Sequence, residues 1–284
     1  MKKFVAEGTT DLKTFTDGHF PQGSFAFAAL LRAKDIKVNG VRTGKNVRLS
    51  AGDEVVYYTT PAQEQKPSHR VIYADQNVLV CDKFSGVSAE GLLCELQAAG
   101  EVYAVHRLDR NTEGVIIFAK NAAAEDELVR AFKERRVKKA YLALCKDNFK
   151  AENAVLTAYL SKDEKRAEVK IFDSPKSGCV KIVTEYSVIK REGELALVRV
   201  LLHTGRTHQI RAQMAAAGTP LLGDGKYGSD RENKKLGEDG QLLYSYRLEF
   251  AFKTAAGAFN YPNGRSFSVS RVDFAEKYFP DIRF

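Results

Sequence analysis

His106-Arg107-Leu108-Asp109-Arg110-Asn111-Thr112-Glu113-Gly114 runs directly into Val115-Ile116-Ile117-Phe118. A β-branched and aromatic run that follows a polar turn ending in glycine is a strand leaving a loop. The loop carries one carboxylate, Asp109, between the guanidinium groups of Arg107 and Arg110. A carboxylate held on such a turn has its oxygens aimed outward, as nucleophilic catalysis requires. Taken alone, Asp109 reads first as a loop aspartate that caps the turn or pairs with Arg107 or Arg110.

Outward from that turn, strand patterns dominate. Val71–Tyr73, Val78–Cys81, Tyr103–Leu108, Val115–Ala119, Ala140–Cys145, Val155–Leu160, Ala167–Phe172, Ile182–Ile189 and Leu195–Leu202 all have strand composition. Two helices are expected among them. The first covers about Ala122–Arg136, with Asn121 as cap, basic residues in the last turn and Leu128 and Phe132 on one face. The second runs from His208 to about Ala217, with Thr207 as cap and Gly218 as its end. Ser229–Gly240, charged and glycine-bearing, is expected to be a mobile surface loop. Many strands with few helices predict an α+β domain around a mixed or antiparallel central sheet.

The N-terminal part has a different pattern. Residues 24–34 predict a short helix with Ser24 as N-cap, the one helix evident in this region. Asn39-Gly40 between Ile36–Val38 and Val41 is a hairpin signal, because both central residues of a type I′ turn need positive φ. A strand is expected at Glu54–Tyr58, and the two prolines of residues 59–68 mark a linker. The expected division is residues 1–60, a linker at 61–70, and a larger domain at 71–284.

With 284 residues and 44% apolar content, the chain can bury a sizeable core. No apolar run approaches a membrane span, and Met1-Lys2-Lys3-Phe4-Val5-Ala6-Glu7 does not resemble a secretory leader. The four cysteines, Cys81, Cys94, Cys145 and Cys179, are far apart and predict buried free thiols in a cytoplasmic protein. The net charge of +8 has a focus: Arg130, Lys133, Arg135, Arg136, Lys138 and Lys139 fall within ten positions. Such a cluster fits a polyanion, although basic proteins without one are common.

Two further stretches could carry chemistry. In Leu201-Leu202-His203-Thr204-Gly205-Arg206-Thr207-His208-Gln209-Ile210-Arg211, Ile210 and Met214 share a buried helix face. Arg211, one position further round, can reach a carboxylate or a phosphate, or simply be solvated. In Val137-Lys138-Lys139-Ala140-Tyr141-Leu142-Ala143-Leu144 the strand tyrosine is ordinarily a packing residue. His203 and His208, five apart, do not share a helix face, and no nearby carboxylate completes a metal set. Gly223-Asp224-Gly225-Lys226-Tyr227-Gly228 fits G-x-G-x-x-G without the flanking strand and helix of a dinucleotide site, so it reads as a structural loop.

Together these stretches resemble the RluA-type pseudouridine synthases. His106–Gly114 matches that family's His-Arg-Leu-Asp…Thr-x-Gly loop, with Glu113 where the family usually has Ser. Thr204–Arg211 matches its Thr-Gly-Arg-Thr-His-Gln-Ile-Arg motif, and Lys139, Tyr141 and Ala143 match its Lys-x-Tyr-x-Ala. Lys83-Phe84 and Leu243-Tyr244-Ser245 depart from the family's Lys-Pro and Leu-His-Ala. The likeness covers roughly residues 70–284. The helix, Asn-Gly turn and Ala51-Gly52-Asp53-Glu54-Val55 ahead of it resemble the small S4 RNA-binding domain.

The resemblance implies isomerisation of uridine to pseudouridine in structured RNA, large-subunit ribosomal RNA or transfer RNA. Asp109 would be the nucleophile, Arg211 its ion-pair partner, and Tyr141 the ring that stacks on the flipped base. Arg107, Arg110, Lys138, Lys139, Arg206 and His208 would bind or brace the RNA. No cofactor and no metal are implied, and the expected state is a cytoplasmic monomer. Two other classes stay open: a silent RNA-binding protein of the same fold, and a carboxylate hydrolase using Asp109 with Glu113.

Overall fold

The computed structural model describes residues 1–20, 27–60, 67–163, 168–238, 240–251 and 264–283. Ser24, Pro61 and the glutamines of 61–66, and Ala167 lie outside the described residues.

The N-terminal part begins with β1 (Lys2–Val5) and the two-residue β2 (Thr10–Asp11). It continues through α1 (Leu12–His19), α2 (Phe27–Ala33), β3 (Ile36–Val38), β4 (Val41–Thr43), β5 (Arg48–Leu49) and β6 (Glu54–Tyr57). Helix α1 was not expected. It starts where the Asp11 side chain accepts from the amides of Lys13 and Thr14, and it buries Leu12 and Phe15. The Asn39-Gly40 turn has φ of 49° and 80°, joining β3 to β4 in the sheet order β1-β6-β3-β4. Leu12, Phe15, Phe20, Phe27, Leu30, Ile36, Leu49, Val55 and Tyr57 form a separate core here.

The second part opens with β7 (His69–Ala74), β8 (Val78–Lys83), α3 (Ala89–Gln97) and β9 (Tyr103–Ala104). Then come β10 (Glu113–Ala119), α4 (Ala122–Lys133), β11 (Val137–Lys146), β12 (Asn153–Asp163) and β13 (Glu168–Phe172). Next are β14 (Val180–Glu192), β15 (Leu195–Leu202), α5 (Gln209–Ala216) and α6 (Asp230–Leu236). The described chain ends with β16 (Leu243–Phe250), β17 (Ser266–Ser268) and α7 (Asp273–Tyr278). The main path of the large sheet is β13-β12-β14-β15-β11-β16-β10-β8-β7. Pairing is antiparallel except between β10 and β16, so the expected mixed sheet of an α+β domain is present.

Alternation sorts the side chains of this sheet into two cores. Val115 and Ile117 of β10 pack beneath α4 and α7, whereas Ile116 and Phe118 pack beneath α3 and α5. Gly114 sits at the parallel junction with φ of 110°, and a Cβ there would lie 2.2 Å from the Ser245 carbonyl oxygen. The glycine of the opening loop is therefore fixed by a backbone approach. Gly114→Ala should lower stability by roughly 3–5 kcal/mol, from a left-handed backbone and a forced clash. Denaturant titration checks this: a midpoint within error of the parent would contradict the packing described.

Several local expectations need correction. Tyr103–Leu108 is strand only at its first two residues, because from Val105 the chain turns into the loop. Ser229–Gly240 holds helix α6, capped by the Ser229 side chain accepting from Glu232 N and closed by Gly237. Helix α5 starts at Gln209, and the residue before it, His208, has a left-handed backbone (φ 54°) and makes no side-chain cap. The turn is closed by Gln209 Oε1, which accepts from Arg206 N at 3.1 Å and Thr204 Oγ1 at 2.9 Å, so Thr207 is not the cap. Cys81 and Cys145 are buried, but Cys94 is exposed and Cys179 half-buried, all four as free thiols.

Candidate active site

The loop before β10 is held from three sides. Leu108 is buried in the core under α3, and Thr112 N donates to Asp109 O at 3.0 Å, closing a turn. The buried Thr112 hydroxyl accepts from Gln241 Nε2 at 2.9 Å. Behind the loop, the fully buried Lys83 ammonium donates to the carbonyls of Phe84, Val87 and Arg110 at 3.1, 2.8 and 3.0 Å. Burial pushes this lysine down to about 7, opposed by the carboxylates of Glu113 and Asp109. His106 is a structural member of the loop. Its Nε2 accepts from Ile117 N at 3.0 Å and its ring stacks on Phe132 at 4.5 Å. Burial, with help from Lys139, pushes the imidazole down to about 3, so it is neutral.

Asp109 faces a cavity of about 520 Å³, within the roughly 300–1,000 Å³ of small-molecule sites. The cavity also takes in Tyr141, Ile210, Leu243, Lys139, Arg206 and His208. Arg211 joins two carboxylates across its floor. Its Nη1 donates to Asp109 Oδ2 at 3.1 Å, while its Nε and Nη2 form a two-pronged pair with Asp224 at 2.7 and 2.9 Å. Burial alone would lower Arg211, but Asp224 and then Asp109 raise it, so it stays charged. Burial would raise Asp224; the Arg211 pair and the amides of Lys226 and Tyr227 outweigh that and lower it.

Asp224 is the functional residue that sequence reasoning missed. It sits in the Gly223–Gly228 loop, tied down by Asn233 of α6, whose Nδ2 donates to Asp224 O at 3.1 Å. Its one signal in the sequence is that it is the sole charge in Thr219–Gly225. Tyr227 of the same loop braces His208: its hydroxyl lies 2.9 Å from Nδ1, leaving Nε2 3.9 Å from Asp109 Oδ2. Burial lowers His208, against the pull of Asp109.

Tyr141 reaches the cavity through an irregularity in β11. Val137 and Leu142 belong to one core and Tyr141 and Ala143 to the other, which strict alternation over that span forbids. A register shift against β16 between Ala140 and Tyr141 accounts for the switch of face. Burial raises the Tyr141 phenol, the Asp109 carboxylate adds to this, and a hydrogen bond with Ser245 opposes it, so the phenol is protonated.

The basic cluster divides. Arg130 and Arg136 pair with Glu127, at 2.8 and 3.1 Å, and Lys138 pairs with Glu249 at 2.9 Å, outside the cavity. Lys133, Arg135 and Lys139 line the cavity, where burial, with Arg135, lowers Lys139. Arg107 stands exposed at the rim, 3.5 Å from Glu90. Arg110 turns away, its Nη1 donating to Gly86 O at 2.9 Å. Glu113 lines neither this cavity nor the smaller one beside it, so the Asp109–Glu113 pairing of a carboxylate hydrolase is not formed across either of them.

Comparison with known proteins agrees with this geometry. Residues 89–216 match the family model described as RNA pseudouridylate synthase. An uncharacterized RNA pseudouridine synthase of Aquifex aeolicus (strain VF5) is 31% identical over 89% of each chain. The ribosomal large subunit pseudouridine synthase C of Vibrio cholerae is 28% identical over 78% of each. Among solved structures, human RNA pseudouridylate synthase domain containing 1 shares the fold (TM-score 0.58, 24% identity, 75% of this chain and 95% of that one). The chain belongs to the RNA pseudouridine synthases, enzymes that isomerise uridine to pseudouridine within RNA.

Proposed function

We propose that the substrate is a uridine in large-subunit ribosomal RNA and that Asp109 is the nucleophile. The carrying observation is the Asp109–Arg211–Asp224 array, which aims one carboxylate into a cavity that also holds a protonated tyrosine. A uridine in a duplex is out of reach, so it is extruded into the cavity, where Tyr141 stacks on the base. Asp109 acts at the sugar and the N1–C1′ bond breaks, by a covalent or a glycal route. The detached uracil turns and C5 bonds to C1′; C5 then gives up its proton and N1 gains one, so the product is an isomer. Arg211 orients Asp109, and the bound RNA covers the mouth of the cavity and keeps water from the reactive sugar. His208 braces the Asp109 side of the cavity. Lys133, Arg135, Lys139, Arg206 and Arg107 meet phosphates around the mouth, with Lys138 placed further out and Arg110 on the far side of the catalytic loop.

The preference for ribosomal RNA rests on the names of relatives such as the Vibrio cholerae protein. Residues 1–60 form the second RNA-binding part, S4-like in kind, and residues 71–284 the catalytic domain. The proposed state is a monomer acting in the cytoplasm. No helix among the described residues is long and apolar enough to cross a membrane. The test is tritium release from C5-labelled transcripts by the purified protein. Release from large-subunit ribosomal RNA and not from transfer RNA is expected; the reverse pattern would move the assignment to transfer RNA.

A further inference from the structure

A second cavity of about 300 Å³ opens on the other side of the catalytic loop. It lies where the N-terminal part meets the catalytic sheet, with α1 packed against α3. Four cations line it, Lys13 of α1 and Arg107, Arg110 and Arg211, against two carboxylates, Glu90 and Asp109. Ser88, Asn111 and Gln241 add hydrogen-bonding groups to the wall. Apolar side chains scarcely contribute, which sets it apart from the base-sized cavity containing Tyr141, Ile210 and Leu243.

The cations hold an anion position that the protein itself fills only in part. Asp17 Oδ2 lies 2.8 Å from Lys13 Nζ and 4.0 Å from Arg110 Nη2, so both cations converge on one carboxylate oxygen. Only the lysine is at hydrogen-bond distance. Arg110 Nη2 is buried and has no hydrogen-bond partner among the described residues. A buried guanidinium donor left unmet is costly, and an anion with several acceptor oxygens meets it better than a distant carboxylate.

We propose that this junction is a phosphodiester site, built jointly by Lys13 of the N-terminal part and Arg110 and Arg107 of the catalytic loop. Its ligand is the backbone phosphate of a nucleotide beside the extruded uridine. Asp109 borders both cavities, so base and neighbouring phosphate are gripped on opposite sides of one residue. The N-terminal part then does more than add RNA affinity at a distance: it completes the catalytic cleft. This rests on the reading of Asp109 and its cavity as the uridine site.

The test uses the full-length protein and total RNA from cells lacking it, which contains the substrate whichever RNA that is. Pseudouridine formation is followed against RNA concentration at several salt concentrations. Lys13→Gln should raise KM roughly three- to tenfold with kcat within twofold. It should also reduce the salt slope of log(kcat/KM) by about 1, the signature of one lost phosphate contact. Lys13→Arg should restore both. Lys150→Gln, at an exposed position that lines neither cavity, should change neither. If Lys13 only steadies α1 through Asp17, stability falls while the salt slope stays, and the proposal is overturned. An unchanged KM overturns it too. A wild-type protein inactive on this RNA would instead overturn the reading of the uridine site, an outcome separate from either.

Discussion

Asp109→Asn should abolish pseudouridine formation while leaving the fold intact. The amide is nearly isosteric and can still accept from Arg211 Nη1, so the turn closed by Thr112 N and the Arg211–Asp224 pair survive. What disappears is the anionic oxygen that acts at the sugar. Loss of a nucleophile commonly costs about 10⁴-fold or more in rate. Single-turnover kinetics with excess enzyme measure this without interference from RNA release. RNA affinity should stay within a few-fold of the parent, because phosphate contacts dominate it. A variant with a tenth of the parental rate would remove Asp109 from the role of nucleophile.

Asp224→Ala carries the second-largest effect, and by another route. Asp224 does not touch the substrate; it fixes the guanidinium that fixes Asp109. Its removal leaves a buried arginine with one remaining carboxylate, a loss of roughly 3–5 kcal/mol for a broken buried pair. The freed Arg211 would also draw Asp109 out of line, and a misplacement of about 1 Å can cost on the order of 10²-fold in rate. Asp224→Glu should recover more stability than activity, since its longer stem cannot keep the same two-pronged geometry. The pair also predicts an acid limit. Because Asp224 is lowered in the folded protein, the unfolded chain takes up its proton first as pH falls. The contribution is complete above the ordinary aspartate range and is lost as pH drops through the lower folded value. Urea midpoints between pH 3 and 6 should fall more steeply for the parent than for Asp224→Asn. Parallel curves would mean that Asp224 does not carry this dependence.

The strands and the catalytic loop were legible because their signals are local. β15 (Leu195–Leu202) matches its expected bounds residue for residue, and β8, β10, β11 and β14 contain their expected cores and extend beyond them. What escaped was set by distant parts of the chain. Helix α1 is eight residues with a glycine and two threonines, and it is stabilised by burying Leu12 and Phe15 in a core completed by β3, β5 and β6. Helix α6 reads as loop because it is nearly all polar; its hold is Asn233, which reaches back to Gly223 and Asp224. Asp224 itself belongs to the site only because that loop returns beneath Arg211, and no spacing rule connects them. Tyr141 faces the cavity because the β11–β16 register slips, which strict alternation does not foresee. The basic cluster was legible as a cluster, yet Arg130, Arg136 and Lys138 are engaged by Glu127 and Glu249, which only the fold brings beside them.

The most direct measurement is a pseudouridine map of total cellular RNA from a strain lacking this protein, complemented with the wild type or with Asp109→Asn. One or a few positions should be unmodified in the deletion, restored by the wild type and left as uridine by the variant. A map unchanged by deletion, or restored equally by Asp109→Asn, would contradict the assignment of Asp109 as the residue that converts uridine in this RNA.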